Sequence, residues 1–288
     1  MHTSSVSSVL PGVFLAVLAA LLFSCLNVAI RFSEPYLTVW HMMLGRSLIG
    51  TFFLICMARS LGVGLLGQRR GILLLLGCTG TGGIVLLTMA LLTIPLFQAL
   101  ILFYTYPAVA ALTSPWLTAD TNSTRSWACI ALAFCGTGLT LWTGQTGHMA
   151  LGLGHMAGLG ASLCMGVTMT LVRRVSAENN PLIPIFYISV LGIGAGLVPL
   201  LHPSMSFAVS ASGLLGLLAI GLFAVLAHIS TNKALGYISS AKVGSIGMLE
   251  VVFGALYGYM LFAEPLGWST VVGGTLVCAA VLGLVHSG

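Results

Sequence analysis

The stretch ALGYISSAKVGSIGMLEVVFGALYGYMLFAE, residues 234–264, indicates how the chain is organised, because it repeats an earlier stretch of the same chain. Residues 90–120 read ALLTIPLFQALILFYTYPAVAALTSPWLTAD and align with it without a gap. The offset is 234 − 90 = 144 residues, which is half of the 288-residue chain. The aligned positions carry identical or similar residues: Ala90 with Ala234, Ile94 with Ile238, and Asp120 with Glu264. Self-similarity at this period predicts two related halves.

The composition places both halves in a lipid bilayer. Hydrophobic residues make up 58% of the chain and charged residues only 5%, with a mean hydropathy of +1.09. A soluble domain carries about a quarter charged residues, so no soluble core hides this much apolar surface. The net charge of +5 comes from basic residues scattered singly or in pairs, which excludes a nucleic-acid-binding face.

Charges, prolines and polar clusters divide the chain into ten apolar segments of membrane-spanning length. The predicted segments are 10–30, 37–58, 71–92, 95–117, 127–144, 151–173, 182–201, 212–234, 239–262 and 267–286. They form a first repeat, 1–146, and a second repeat, 147–288, with five segments each. Because each repeat has an odd number of spans, the second repeat is expected to have the opposite orientation in the membrane. The predicted fold is an all-α integral membrane protein with ten transmembrane helices in two inverted five-helix repeats.

The distribution of Lys and Arg predicts the orientation. With the N-terminus in the cytoplasm, the inside loops carry eight basic residues: Arg59, Arg69, Arg70, Arg125, Arg173, Arg174, Lys233 and Lys242. The outside loops carry only Arg31, and Arg46 lies inside a helix. We therefore expect both termini on the cytoplasmic side of a bacterial inner membrane.

The second half resembles a known family at specific residues. The ninth segment contains the pair Leu249-Glu250 near its start. Just after its end it has a second acidic motif, made of Ala263, Glu264 and Leu266. This pattern is similar to that of the EamA-type drug/metabolite transporters, which have Leu-Glu-Pro and Gly-Glu-x-Leu at these places. The resemblance implies a ten-helix basket in which helices 1, 3, 4, 6, 8 and 9 line a central cavity and helices 5 and 10 pack at the periphery.

Other positions of the resemblance either depart from the family pattern or extend it to the first half. Val251 stands where proline is usual and Ala263 where glycine is usual. The first half keeps its proline, Pro107, after Tyr106. The segment TVWHMMLGRSLIG, residues 38–50, is similar to the family's second helix and places Arg46 in its arginine position.

Glu250 and Arg46 are charged residues predicted to lie near mid-membrane, where a charge costs about 2.5–3.5 kcal/mol on insertion scales. Two interpretations remain open. The two residues form an ion pair that holds the halves together, or Glu250 faces the cavity and carries a proton or binds a substrate amine. We predict a gating, proton-carrying or ion-pairing role for both. Trp40, near the outer end of the second segment, is either a gate or an interfacial anchor.

Polar and aromatic side chains in the cavity-lining segments are the candidate substrate ligands. They are Ser24, Asn27, Tyr104, Tyr106, His228, Asn232, Phe253 and Tyr257. Helical spacing places Ser24 with Asn27, and His228 with Asn232, on shared faces. The tyrosine rings suit an aromatic or amphipathic ligand, although such rings also form interfacial belts.

These features predict a secondary transporter that exports a small metabolite, such as an amino acid or a similar amphipathic compound. An alternative in the same superfamily is a phosphate-linked or nucleotide-type antiporter, or an uptake carrier for a cofactor or S-adenosylmethionine. A more remote alternative is a membrane enzyme or scaffold. The sequence has no catalytic set, no ATP-binding motif and no Cys/His metal spacing. We therefore expect no enzyme activity, no cofactor, no metal and no nucleic-acid partner, and a monomer or homodimer in the bilayer.

Overall fold

A computed structural model describes residues 6–117, 124–142, 152–202, 207–238 and 240–285. These ranges contain twelve α-helices and no β-strand. The helices are α1 (Val6–Phe32), α2 (Val39–Ser60), α3 (Arg70–Thr93), α4 (Leu96–Phe103), α5 (Tyr106–Leu117), α6 (Thr124–Leu141), α7 (Leu153–Val175), α8 (Leu182–Leu200), α9 (Ala211–Leu235), α10 (Ser240–Gly247), α11 (Leu249–Phe262) and α12 (Trp268–Val285). Asp120, the predicted counterpart of Glu264, lies outside the described residues.

Eight helical stretches of the described chain are long and apolar enough to cross a membrane, so the protein is a multi-pass membrane protein. Two of these stretches, Leu96–Leu117 and Lys242–Phe262, combine α4 with α5 and α10 with α11. The remaining predicted segments correspond to α6 and α12, and the apolar part of α12, Trp268–Gly283, is shorter. The count of ten spans therefore stays a prediction.

Two of the predicted helices are broken where the sequence analysis expects them to be continuous. The segment 95–117 is interrupted at Tyr104 and Thr105, and the segment 239–262 is interrupted at Met248. Pro107 explains the first break, because proline has no N–H and collides with the carbonyl four residues earlier. The second break has no proline, since Val251 occupies the position equivalent to Pro107 (107 + 144 = 251).

Helices of the first half pack mainly against helices of the second half. α1 packs on α9, α2 on α8, α3 on α7, α4 on α11 and α6 on α12. Small residues allow this close approach, as they do in other membrane helices. A Cβ added to Gly136 of α6 would lie 2.7 Å from the carbonyl oxygen of Gly273 in α12, and one added to Gly196 of α8 would lie 2.6 Å from the backbone nitrogen of Leu44 in α2.

Both ends of the bundle are tied by polar contacts, whereas its outer faces are apolar. At one end, Arg69 forms an ion pair with Glu178, and the Gln68 N–H donates to Asn179 Oδ1 at 2.7 Å. At the other end, Arg31 in the last turn of α1 donates to the Leu91 carbonyl of α3. Exposed side chains such as Phe52 and Leu215, 63% and 69% accessible, lie on the outer surface, as lipid-facing residues do.

Candidate functional site

Glu250 is a buried carboxylate in the first turn of α11, within the apolar stretch Lys242–Phe262. Two neutral donors hold its side chain. Asn27 Nδ2 of α1 donates to Oε1 at 2.7 Å, and the Tyr104 hydroxyl donates to Oε2 at 2.7 Å. Ser24, one turn before Asn27, donates to the backbone carbonyl of Glu250 at 3.1 Å. Each oxygen therefore has a donor, but no cation of the described residues neutralises the charge by direct contact.

The break between α10 and α11 gives Tyr104 a second acceptor. The Val251 N–H donates to the Met248 carbonyl at 3.0 Å, three residues back, instead of to Gly247, four residues back. The freed Gly247 carbonyl accepts from the Tyr104 hydroxyl at 3.1 Å. A tyrosine hydroxyl has one proton, so the Gly247 carbonyl and the Glu250 carboxylate share it.

Arg46 does not form the direct ion pair with Glu250 that the sequence analysis offers as one interpretation. Both residues are described, and no salt bridge within 4.0 Å joins them. Arg46 still interacts electrostatically with Glu250 and with His228. The direct ion pair is therefore absent, and the two carboxylate oxygens accept from Asn27 and Tyr104 instead.

Several polar groups of the predicted site have no polar partner among the described residues. In the part of the chain that the structure describes, no hydrogen bond or salt bridge is made by the side chains of four partly buried residues: Arg46, Tyr106, His228 and Asn232. Unpaired polar groups are costly in hydrocarbon, so polar groups at membrane depth face the bundle interior or a water-filled cavity. These four groups are therefore available to a ligand or to water.

Aromatic rings form one wall beside the carboxylate. The ring of Tyr106 lies 5.3 Å from that of Phe103 and 5.9 Å from that of Tyr104, measured between centroids. The His228 ring packs edge-on against Phe23 at 5.2 Å. Rings at these distances present apolar faces next to a charged group, an arrangement that suits an amphipathic ligand.

The other predicted site residues lie away from Glu250 or make no contact with it. Tyr257 lines a separate groove of about 500 Å³ between α1, α9 and α11, together with Cys25 and Phe223. No hydrogen bond, ring contact or ion pair joins Trp40, Asn232 or Phe253 to Glu250 in the described residues. The structure therefore brings Ser24, Asn27 and Tyr104 into contact with Glu250, and Arg46 and Tyr106 into its electrostatic field.

A second buried carboxylate, Glu264, lies just beyond the end of α11. Its Oε2 accepts from the Leu96 N–H at the start of α4 at 2.7 Å, and its Oε1 lies 3.6 Å from Arg31 Nη2. Arg31 Nη1 also donates to the Leu91 and Ile94 carbonyls at the end of α3, at 2.6 Å and 3.3 Å. Burial raises the pKa of Glu264 above its ordinary value, and the Leu96 N–H and Arg31 oppose that rise.

This second cluster is not predicted from the sequence, where Arg31 indicates only the orientation and Glu264 only the exit of a helix. The alignment of Glu264 with Asp120 does mark an acidic residue at the same place in each half. The described residues contain no group of three or more His, Cys, Asp or Glu residues able to hold a metal ion.

Comparison with known proteins identifies the family. A model described as the EamA-like transporter family matches residues 10–142 and 152–286. The chain belongs to this transporter family. Two relatives from different strains of Pseudomonas aeruginosa, each named Pseudopaline exporter CntI, are 27% identical over 281 residues, covering 95% of this chain and 95% of each relative. A crystal structure at 17% identity superposes with a TM-score of 0.66 over 97% of this chain and 96% of its own, which shows the fold alone.

Proposed function

We propose that this EamA-like transporter is a secondary transporter that exports a small zwitterionic metabolite, such as an amino acid, across the bacterial inner membrane. The arrangement of Arg46 and Glu250 carries the proposal. The two residues carry opposite charges in apolar helices and form no salt bridge with each other, so each charge can be compensated by the opposite end of a bound molecule. The substrate ammonium binds Glu250, and the substrate carboxylate binds Arg46.

The surroundings of the two charges fit the middle of such a molecule. The rings of Phe103, Tyr104 and Tyr106 provide an apolar wall next to Glu250. His228 interacts electrostatically with Arg46, so it belongs to the carboxylate end of the site. Asn232 shares a face of α9 with His228 because the two are four residues apart. Phe253 and Tyr257 stay predicted substrate ligands, and Trp40 stays a predicted gate.

Export, rather than uptake, is supported by the relatives. Both P. aeruginosa proteins are named as exporters, and each covers nearly the whole chain. Pseudopaline itself, or a compound of similar charge, is therefore a reasonable first substrate to test. The orientation with both termini in the cytoplasm follows the predicted excess of Lys and Arg in the inside loops.

The inverted-repeat architecture is part of the proposal. α4 and α10 begin and end at equivalent positions, since 96 + 144 = 240 and 103 + 144 = 247. When the halves are exchanged, the pairs α2–α8 and α6–α12 map onto themselves, and the pair α1–α9 maps onto α3–α7. Two separate family matches of similar length further support domains at 1–146 and 147–288. Broken helices at equivalent positions are typical of transporter sites at a repeat interface.

A phosphate-linked or nucleotide-type antiporter is the second candidate, and it needs several cations around the anion. Arg46 is one such cation, whereas Lys233 and Lys242 lie near the ends of α9 and α10. One cation and one carboxylate in the site favour a zwitterion over a phosphate-containing anion. A cofactor or S-adenosylmethionine carrier shares the zwitterion chemistry, and its substrate is included in the test.

Purified protein in liposomes tests the proposal. Labelled amino acids, nucleosides, sugar phosphates, S-adenosylmethionine and pseudopaline are measured for uptake and for exchange. For a transported amino acid, we expect the N-acetyl derivative and the amide derivative each to be transported at least about 10-fold more slowly, because each leaves one charge of the site unpaired. Transport of only sugar phosphates or nucleotides would favour the antiporter. Transport of none of these compounds would overturn the metabolite-exporter proposal.

A further inference from the structure

The two halves interrupt their broken helices by different means. In the first half, Pro107 cannot donate to the Phe103 carbonyl, so the chain breaks between α4 and α5. In the second half, Val251 has an N–H that could donate to the Gly247 carbonyl and continue the helix. It donates instead to Met248 at 3.0 Å, and the Gly247 carbonyl accepts from Tyr104 at 3.1 Å.

We propose that Tyr104 replaces the missing proline of the second half: its hydroxyl binds the Gly247 carbonyl, keeps α10 and α11 bent at Met248, and thereby positions Glu250. A continuous α-helix returns the Val251 N–H to the Gly247 carbonyl and satisfies both groups without Tyr104. The bent form leaves that carbonyl without a helical donor, and a buried carbonyl without a partner is costly. Tyr104, contributed by the other half, therefore stabilises the bent form.

The bend matters for Glu250 because the residue lies in the first turn after it. Straightening the helix turns and shifts the start of α11 relative to α10, which moves the carboxylate away from Asn27 on α1. Tyr104 also donates to Glu250 Oε2 at 2.7 Å, so one side chain contacts both the bend and the residue that it positions. Tyr104 is a positioning residue in this sense, in addition to any contact with substrate.

Substitutions at Tyr104 and Val251 separate the bend from the other effects of Tyr104. Tyr104→Phe removes the hydroxyl, and we expect transport to fall at least about 10-fold, since a misplaced binding group lowers rates steeply. Val251→Pro keeps the bend by the means that the first half uses, so we expect transport within about 2-fold of the wild type, because proline is tolerated in a first helical turn. Leu256→Pro, in the lipid-facing interior of α11, is the control that should lose both yield and transport.

The double variant Tyr104→Phe/Val251→Pro gives the decisive result. We expect it to regain transport relative to Tyr104→Phe alone, because proline restores the bend without the hydroxyl. We also expect its unfolding midpoint to fall below that of Tyr104→Phe, because the Gly247 carbonyl then has no donor. Transport that rises while stability falls distinguishes a positioning role from a merely stabilising one. A double variant with no more transport than Tyr104→Phe would overturn the inference.

The inference rests on the proposed function only for its transport measurement. The unfolding measurement stands apart: Val251→Pro should lower the midpoint more in the Tyr104→Phe protein than in the wild type, because only the former has re-formed the bond from Val251 to Gly247. Equal shifts in the two backgrounds would overturn the inference even if the protein transports a substrate. Unequal shifts in a protein that transports nothing would contradict the proposed function and leave the role of Tyr104 intact.

Discussion

Glu250 and Glu264 are two carboxylates at opposite ends of α11, and they have different kinds of partner. They are similarly buried, with 7% and 8% of their surfaces accessible. Glu264 lies just outside the span, where Arg31 and the Leu96 N–H hold it. Glu250 lies within the span, where the donors Asn27 and Tyr104 are neutral.

The difference indicates which carboxylate is fixed and which is available. A carboxylate next to an arginine has a fixed partner for its charge, and removing that partner leaves an isolated charge. A carboxylate held by neutral donors keeps its charge, which a proton or a substrate ammonium can compensate. We infer that Glu264 ties α1, α3, α4 and α11 together at one end of the bundle, whereas Glu250 takes part in transport.

Loss of Arg31 should have the largest effect on stability. Arg31→Ala leaves the Leu91 and Ile94 carbonyls without their donor and Glu264 without its cation. We expect a loss of about 3 kcal/mol, at the low end for a broken buried pair, because the Arg31 side chain is 21% accessible. Unfolding by SDS titration measures the loss. Arg59→Ala, at an exposed position in the last turn of α2, is the control and should change stability by no more than about 0.5 kcal/mol. An equal loss of stability in the two variants would show that Arg31 does not stabilise the contacts between these helices.

Gly258→Ala should disturb the Glu264 end of α11 more moderately. A Cβ at this position would lie 2.6 Å from Glu264 Oε2, so the carboxylate has to move away from the Leu96 N–H. We expect a loss of about 1–3 kcal/mol, as for other overpacked sites. Gly194→Ala is the matched control, because no atom lies within 4 Å of its added Cβ. If the Gly194 variant is destabilised as much, the loss does not come from the contact with Glu264.

The pH dependence of stability should show a smaller effect of Glu264. Because burial raises the pKa of Glu264 above 4.5, the folded protein binds this proton more tightly than the unfolded chain does. The contribution of this group to stability is therefore fully present below pH 4.5, and it is lost as the pH rises through the pKa of the folded state. We expect Glu264→Gln to remove that part of the pH dependence. Unfolding midpoints of both proteins from pH 4 to pH 8 measure it, and parallel curves would refute the expectation.

The sequence predicts the bilayer, the repeat and the exceptional position of Glu250, because these follow from hydropathy, self-alignment and a lone charge in an apolar run. It also predicts that Ser24 and Asn27 share one face of the first helix, since they are three residues apart. The family assignment follows from the motif around Glu250 and is confirmed by the match over both halves.

The partners of Glu250 could not be predicted, because they depend on packing between the halves. The sequence favours Arg46 as a partner by charge and depth, yet Tyr104 reaches the carboxylate through a helix break next to it. Pro107 signals that break in the sequence, whereas nothing in the sequence signals the break at Met248. Its cause is a hydrogen bond between residues 143 positions apart. The cluster of Arg31 and Glu264 is likewise a contact between helix ends that helical periodicity does not relate.

Parallel measurement of Glu250→Gln and Glu264→Gln tests the contrast between the two carboxylates most directly. Both substitutions remove one charge with almost no change in volume, and amino-acid transport in liposomes and unfolding are measured for each. We expect Glu250→Gln to lower transport at least about 10-fold, the equivalent of one lost charge-assisted hydrogen bond, while its stability stays within about 1 kcal/mol of the wild type. We expect Glu264→Gln to transport like the wild type. Wild-type transport by Glu250→Gln, or an equal loss of transport in both variants, would contradict the assignment of the transport role to Glu250.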